Sequence, residues 1–266
     1  MKSTCRLAAK AAILALAGLP VPASAHQPLI TDDTGTQGGA VNQLEVSFGE
    51  DSAKTAAGNT KRSRALPVVF TRGLTNTLDV YAGLSYANVR SGVPGVDASG
   101  ESNPSFGAKW RFYQNERSST SFALKPEVLV PLSARGEAAG LGRGRTSGGL
   151  TFIVTQEVPF GVIHLNAGVS RDRYRNVSNN PDATTTLASI APVWDITRQW
   201  KLALDLGTEF AGAGGAGLRS NFLLLGAIFS PAKDLDFALG IRRVSDNGSP
   251  VTVTRAAITG VTWRFQ

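Results

Sequence analysis

Alternation at a period of two constrains this chain more than any other feature. In "TLDVYAGLSYANV" (residues 77–89), Leu78, Val80, Ala82, Leu84 and Tyr86 share one face, and Asp79, Tyr81, Gly83, Ser85 and Ala87 share the other. That period belongs to a β-strand with one apolar face. About twelve segments read this way, near 40–48, 64–72, 78–89, 104–113, 120–131, 148–156, 162–172, 186–194, 200–210, 220–229, 235–244 and 253–265. No stretch carries a helical hydrophobic period of useful length, and none is a run of roughly 18 apolar residues.

The links between these segments alternate in length. Short ones at 73–77, 114–119, 157–161, 195–199 and 230–234 are separated by long ones at 49–63, 90–103, 132–147, 173–185, 211–219 and 245–252. Short periplasmic turns against longer extracellular loops are the pattern of an outer-membrane barrel. Pairing across the short turns should set apolar against apolar. It gives Phe70 with Leu78, Phe112 with Phe122, Trp110 with Leu124, Trp194 with Trp200 and Phe229 with Leu235, one parity holding within each hairpin. A lipocalin-like barrel alternates equally well with its apolar face inward. Two features favour the membrane. Phe70, Phe112, Phe122, Trp194, Trp200 and Phe229 all lie beside short turns on the apolar face, as an aromatic girdle should. About twelve strands also enclose more volume than apolar side chains fill. The expected fold is all-β, an antiparallel transmembrane β-barrel of about 12 strands over residues 40–266, located in the bacterial outer membrane and monomeric.

Residues 1–25 read as a cleaved secretory signal: Lys2, Arg6 and Lys10 precede a short apolar core, and Ala23-Ser24-Ala25 fits a small-x-small cleavage site. Those three cations account for three of the formal net charge of +7, leaving +4 on the mature chain. The single cysteine, Cys5, lies in the signal, so no disulfide or thiol chemistry is expected afterwards. Nor does the charge balance point to nucleic acid.

With the apolar parity assigned to lipid, the opposite parity lines a lumen. It carries Lys109, Arg111, Lys125, Glu127, His164, Lys201, Asp205, Glu209 and Arg242, together with Asp79, Asn166 and Asp236. These charges either steer solutes along a pore or pair with one another across it. "HQPLITDDTGTQGG" (26–39) precedes the first strand as a periplasmic segment, a candidate plug whose Asp32 and Asp33 would meet Lys or Arg on the wall. One adjacent acid pair without further ligand spacing makes a poor calcium site. Only two histidines and no mature cysteine leave little for a transition metal, and no cofactor is expected. "GAGGAG" (212–217) matches G-x-G-x-x-G, yet a strand rather than a helix follows it, so it reads as a loop. "RGEAAGLGRGR" in the longest loop offers Arg135, Arg143 and Arg145 to lipopolysaccharide phosphates, or is simply a solvated loop. His164 lacks a serine motif pointing to it, so it reads as a lumen histidine rather than half of a hydrolase pair.

The opening of the mature chain resembles a known family. Pro28-Leu29, Thr31-Asp32-Asp33, Gly35 and Gln43-Leu44-Glu45 match the start of the outer-membrane transporter-like proteins named for the meta-pathway of phenol degradation, and "RGLTNTLDVYAGLSY" (72–86) resembles their second hairpin. The resemblance implies a barrel that passes hydrophobic or aromatic compounds and assigns no substrate-binding residue; with no serine motif pointing to His164, no enzyme is expected. The terminal "GVTWRFQ" is similar to the closing strand of outer-membrane proteins, displaced by one residue, Gln266. A small-molecule channel is therefore expected. A closed structural or adhesion barrel and an outer-membrane hydrolase are the alternatives.

Overall fold

The computed structural model describes residues 27–54, 60–91, 97–177, 180–213, 216–248 and 251–266. Residues 1–26, which include the expected signal and His26, lie outside the described residues. The strands are β1 (Asn42–Lys54), β2 (Thr60–Gly73), β3 (Leu78–Arg90), β4 (Ala98–Glu101), β5 (Ser105–Asn115), β6 (Thr120–Leu129), β7 (Ser147–Val158), β8 (Gly161–Asp172), β9 (Ala183–Asp195), β10 (Trp200–Ala213), β11 (Ala216–Ala232), β12 (Leu235–Asp246) and β13 (Val253–Phe265). A one-turn helix, α1 (Ala134–Ala138), interrupts the β6–β7 loop, with Ser133 as its N-cap.

Among the described residues, twelve strands close an antiparallel barrel, because β1 pairs with β13 on one side and β2 on the other. The extra strand is β4. It pairs with residues 86–89 of β3, beyond the point where β5 stops pairing at Gly83. Sequence periodicity passes over β4 because four residues carry too little alternation to register.

The apolar parity faces outward. Leu84 is 64% exposed, Leu239 61% and Ile241 60%, whereas Asp79, on the opposite parity of β3, is fully buried. An exposed apolar wall around a polar interior is the inverse of a soluble barrel and the arrangement lipid requires. Rings gather at the short-turn end: Trp200 and Phe229 lie 4.7 Å apart, Phe160 and Trp194 5.8 Å, and Trp263 and Phe265 4.5 Å.

Three hairpin registers differ from the sequence expectation by an even offset. Phe70 pairs with Ala82 rather than Leu78, Trp194 with Leu202 rather than Trp200, and Phe229 with Phe237 rather than Leu235. The turns sit further along the chain than their spacing suggests; the N–H groups of both Leu74 and Thr75 donate to the Leu78 carbonyl, which centres the first turn on residue 76. An even offset leaves every side chain on its expected face. In the β5–β6 hairpin, Trp110 does pair with Leu124, but a bulge between Arg111 and Tyr113 takes Phe112 out of direct register and turns both Phe112 and Tyr113 outward. Several long links are shorter than expected. β1 continues to Lys54, β10 to Ala213, and β11 begins at Ala216, so residues of "GAGGAG" form strand ends.

Candidate functional site

Residues 27–37 run inside the barrel, and residues 38–41 cross its rim. The chain enters at the short-turn end, where Gly38 packs against Gly73 so closely that a Cβ on Gly73 would overlap the Gly38 carbonyl. Ala40 N–H donates to Gly73 O and Gly73 N–H to Val41 O, fixing the segment to the rim. From there the backbone crosses the lumen, and successive wall residues take its polar groups. Gln37 N–H donates to Asp79 of β3 (3.0 Å) and Thr34 N–H to Thr155 of β7 (3.1 Å). Thr34 Oγ1 shares a hydrogen bond with Ser121 of β6.

Asp32 is the centre of this insert. It is 3% exposed, and its two oxygens meet Lys109 Nζ of β5 at 3.1 Å and Lys125 Nζ of β6 at 2.5 Å. Lys109 also donates to the Asp33 carbonyl at 3.2 Å. Asn166 of β8 reads the Asp32 backbone from both sides, accepting from its N–H (2.7 Å) and donating to its carbonyl (2.9 Å). Asp205 of β10 then accepts from Ile30 N–H (2.6 Å), Thr31 N–H (2.9 Å) and Thr31 Oγ1 (2.5 Å). Buried charges are tolerated where opposite charges and hydrogen bonds satisfy them, and this site meets that condition on both sides.

Past Thr31 the contacts become apolar. Leu29 packs with Ala191, Val193, Ala203 and Leu224 in a small core within the lumen. Pro28 lies over Gly226 and Gly240, 2.7 and 2.9 Å from where their Cβ atoms would stand. Only glycine leaves that room.

The expected lumen residues fall into groups. Lys109, Lys125 and Asp205 converge on the insert with Asp79 and Asn166. Glu127 accepts from the Tyr81 hydroxyl at 3.3 Å, and His164 Nδ1 meets Thr155 Oγ1 at 2.9 Å, alongside the insert's contact with Thr155. Arg242 pairs with Asp51 at 2.8 Å towards the long-loop end, with Glu209 in its field. Arg111 and Lys201 sit at the short-turn rim, bonded to Asn76 O (2.8 Å) and Asp195 (3.1 Å). Sequence reasoning missed Glu45, which is 3% exposed on the lumen face of β1 in the field of both lysines. Its parity in "NQLEVSF" signals the inward direction.

The β6–β7 loop folds inward at the opposite end. Asn103 donates to Val130 O (2.7 Å) and Arg143 O (2.8 Å) and accepts from Arg143 N–H (2.7 Å). Arg143 is buried and pairs with Asp172 at 2.7 Å, while Arg135 and Arg145 stay exposed. Burial works against the Arg143 cation, and Asp172 outweighs it, holding the guanidinium pKa above its ordinary value. The expectation of three solvated loop arginines is therefore corrected for Arg143, whose charge is committed inside.

Comparison with known proteins gives a family. The model described as MetA-pathway of phenol degradation matches residues 31–265, from within the insert to the last strand. The chain belongs to that family. No curated protein matches it. Among solved structures, an outer membrane channel from Pseudomonas putida F1 aligns with a TM-score of 0.68 at 13% identity, covering 88% of this chain and 98% of that one. The NanC porin aligns at 0.54 and 9% identity, covering 83% and 98%; the translocator domain of the autotransporter NalP from Neisseria meningitidis aligns at 0.51 and 11%, covering 85% and 89%. At these identities the likeness is one of fold, that of outer-membrane channel barrels.

Proposed function

We propose that the protein is an outer-membrane channel for small molecules, without enzymatic activity, whose conductance is set by its own N-terminal insert. The observation that carries this reading is Asp32, held by Lys109 and Lys125 in mid-lumen on a segment that belongs to no strand. A chain end fastened by ion pairs and hydrogen bonds is removable without opening the barrel. The short turns then face the periplasm and the long loops the exterior. Hydrophobic or aromatic compounds are the substrate class, in keeping with the family and with the apolar patch around Leu29 beside the polar path.

Planar-bilayer recording and liposome uptake of small aromatic solutes test the reading: the mature chain should conduct, and removal of residues 27–38 should enlarge the current. An intact barrel that shows neither conductance nor uptake in either form would sink it. That outcome would favour the second reading, a closed structural barrel, which the pairing of Arg242 with Asp51 and of both lysines with Asp32 also supports.

A further inference from the structure

The outer wall carries a second charge arrangement, opposite in kind to that of the lumen. Register sets Arg243 of β12 against Arg255 of β13, Arg255 against Ser52 of β1, Ser52 against Arg62 of β2, and Arg62 against Arg90 of β3. Five neighbouring strands thus present four arginines in one row. With strands about 4.8 Å apart, the row spans roughly 19 Å. All four are exposed and share the outward parity of Ile241, Ala257, Leu66 and Tyr86, so they lie directly beyond the apolar band at the long-loop end.

Arg243 faces Arg255 and Arg62 faces Arg90, like against like, an arrangement that destabilises a sheet unless an anion intervenes. Lys54 and Arg64 add to the same surface, and Glu50 is taken by Arg64 at 2.7 Å. Asp97 lies at the edge of the patch, where it accepts from Ser91 N–H at 2.9 Å. Among the described residues, none of the four row arginines has an ion pair. At a similar level, β9 and β10 carry Thr184, Thr186 and Phe210 instead. Outward arginines elsewhere stand singly, Arg171 of β8 opposite Thr184 and Arg219 of β11 opposite Phe210, so only this side carries a contiguous row.

We propose that this row binds the phosphate groups of a glycolipid in the leaflet at the long-loop end, the lipopolysaccharide of an outer membrane. The proposal rests on the outer-membrane reading above. Guanidinium groups bind phosphate oxygens bidentately, and a row facing lipid at the edge of the apolar band meets headgroups rather than free solutes. The site lies on the barrel wall and does not depend on the exposed loop residues Arg135 and Arg145.

Native mass spectrometry of the full mature chain in detergent tests it, with lipid A bearing both phosphates and phosphate-free lipid A as probes. The wild type should retain the phosphorylated lipid at least tenfold better than the phosphate-free one. The variant Arg62→Gln/Arg90→Gln/Arg243→Gln/Arg255→Gln should lose that preference at least tenfold, while Arg171→Gln/Arg219→Gln, which changes outward arginines elsewhere, keeps it. Equal retention by the fourfold variant, or an equal loss in the Arg171/Arg219 control, would overturn the proposal. So would displacement of the lipid by equimolar inorganic phosphate, which would make this a site for free anions. If the fourfold variant fails to fold, judged by heat-modified gel mobility, the pairs Arg243→Gln/Arg255→Gln and Arg62→Gln/Arg90→Gln replace it, each with at least a threefold loss expected. Conductance of the folded variants should be unchanged, so failure here leaves the channel reading standing.

Discussion

The two ends of the lumen are filled by different means. At the short-turn end an N-terminal segment is threaded in and held by Asp32, Thr31 and Gln37 against residues on six strands, from β3 round to β10. At the long-loop end a hairpin loop folds inward, held by Asn103 and by the Arg143–Asp172 pair. The loop is anchored covalently on both sides and can loosen only locally. Once a signal before it is cleaved, the insert is anchored on one side, and beyond its polar contacts only the packing of Pro28 and Leu29 holds it. The comparison teaches that the number of covalent attachments, more than the number of contacts, decides which element can serve as a gate.

Deleting residues 27–38 is the largest test of this difference. Single-channel conductance should rise several-fold, and an unchanged current would reduce the insert to a tether. Asp32→Asn comes next, because it removes the carboxylate that two buried ammonium groups share and leaves Lys109 its longer pair with Asp33 at 3.8 Å, a loss of about 3–5 kcal/mol. Open probability should rise sharply, and adding Lys109→Met and Lys125→Met should recover much of the closed population. If the triple variant stays as open as Asp32→Asn, the ion pairs are not what seats the insert. Asp205→Ala removes the acceptor for Ile30 and Thr31 at a cost of roughly 2–3 kcal/mol, and should give shorter, rarer openings than Asp32→Asn. Asn103→Ala is expected to have the smallest effect on current. It should speed proteolysis within residues 130–146 at a local cost of about 1–3 kcal/mol, leaving conductance as it was. A conductance rise there would show that both ends restrict flow, and the comparison would need redrawing.

Much of this was legible before the structure. Alternation in "TLDVYAGLSYANV" sets Leu84 outward and Asp79 inward, because side-chain direction in a strand follows from parity alone. Exact register was less legible: Phe70 meets Ala82 and not Leu78, because where a turn centres depends on which carbonyls its N–H groups reach. The bulge at Phe112 and the short β4 escaped for the same reason, being departures from regularity with no compositional mark. Arg143 was misread as a loop charge because loop composition says nothing of inward folding; Asn103, forty residues earlier, is what holds the loop in place.

By itself the sequence determined an all-β wall, about twelve strands long, with an apolar outside and a charged inside, since period and parity are properties of the backbone. Only the tertiary structure decided which charges meet. Asp32 and Lys125 are 93 residues apart, and Arg243 and Arg90 lie on one row only because β1 closes the sheet between β13 and β2. Closure is a long-range event. It brings residues together through the geometry of the whole ring, which no local window of sequence contains.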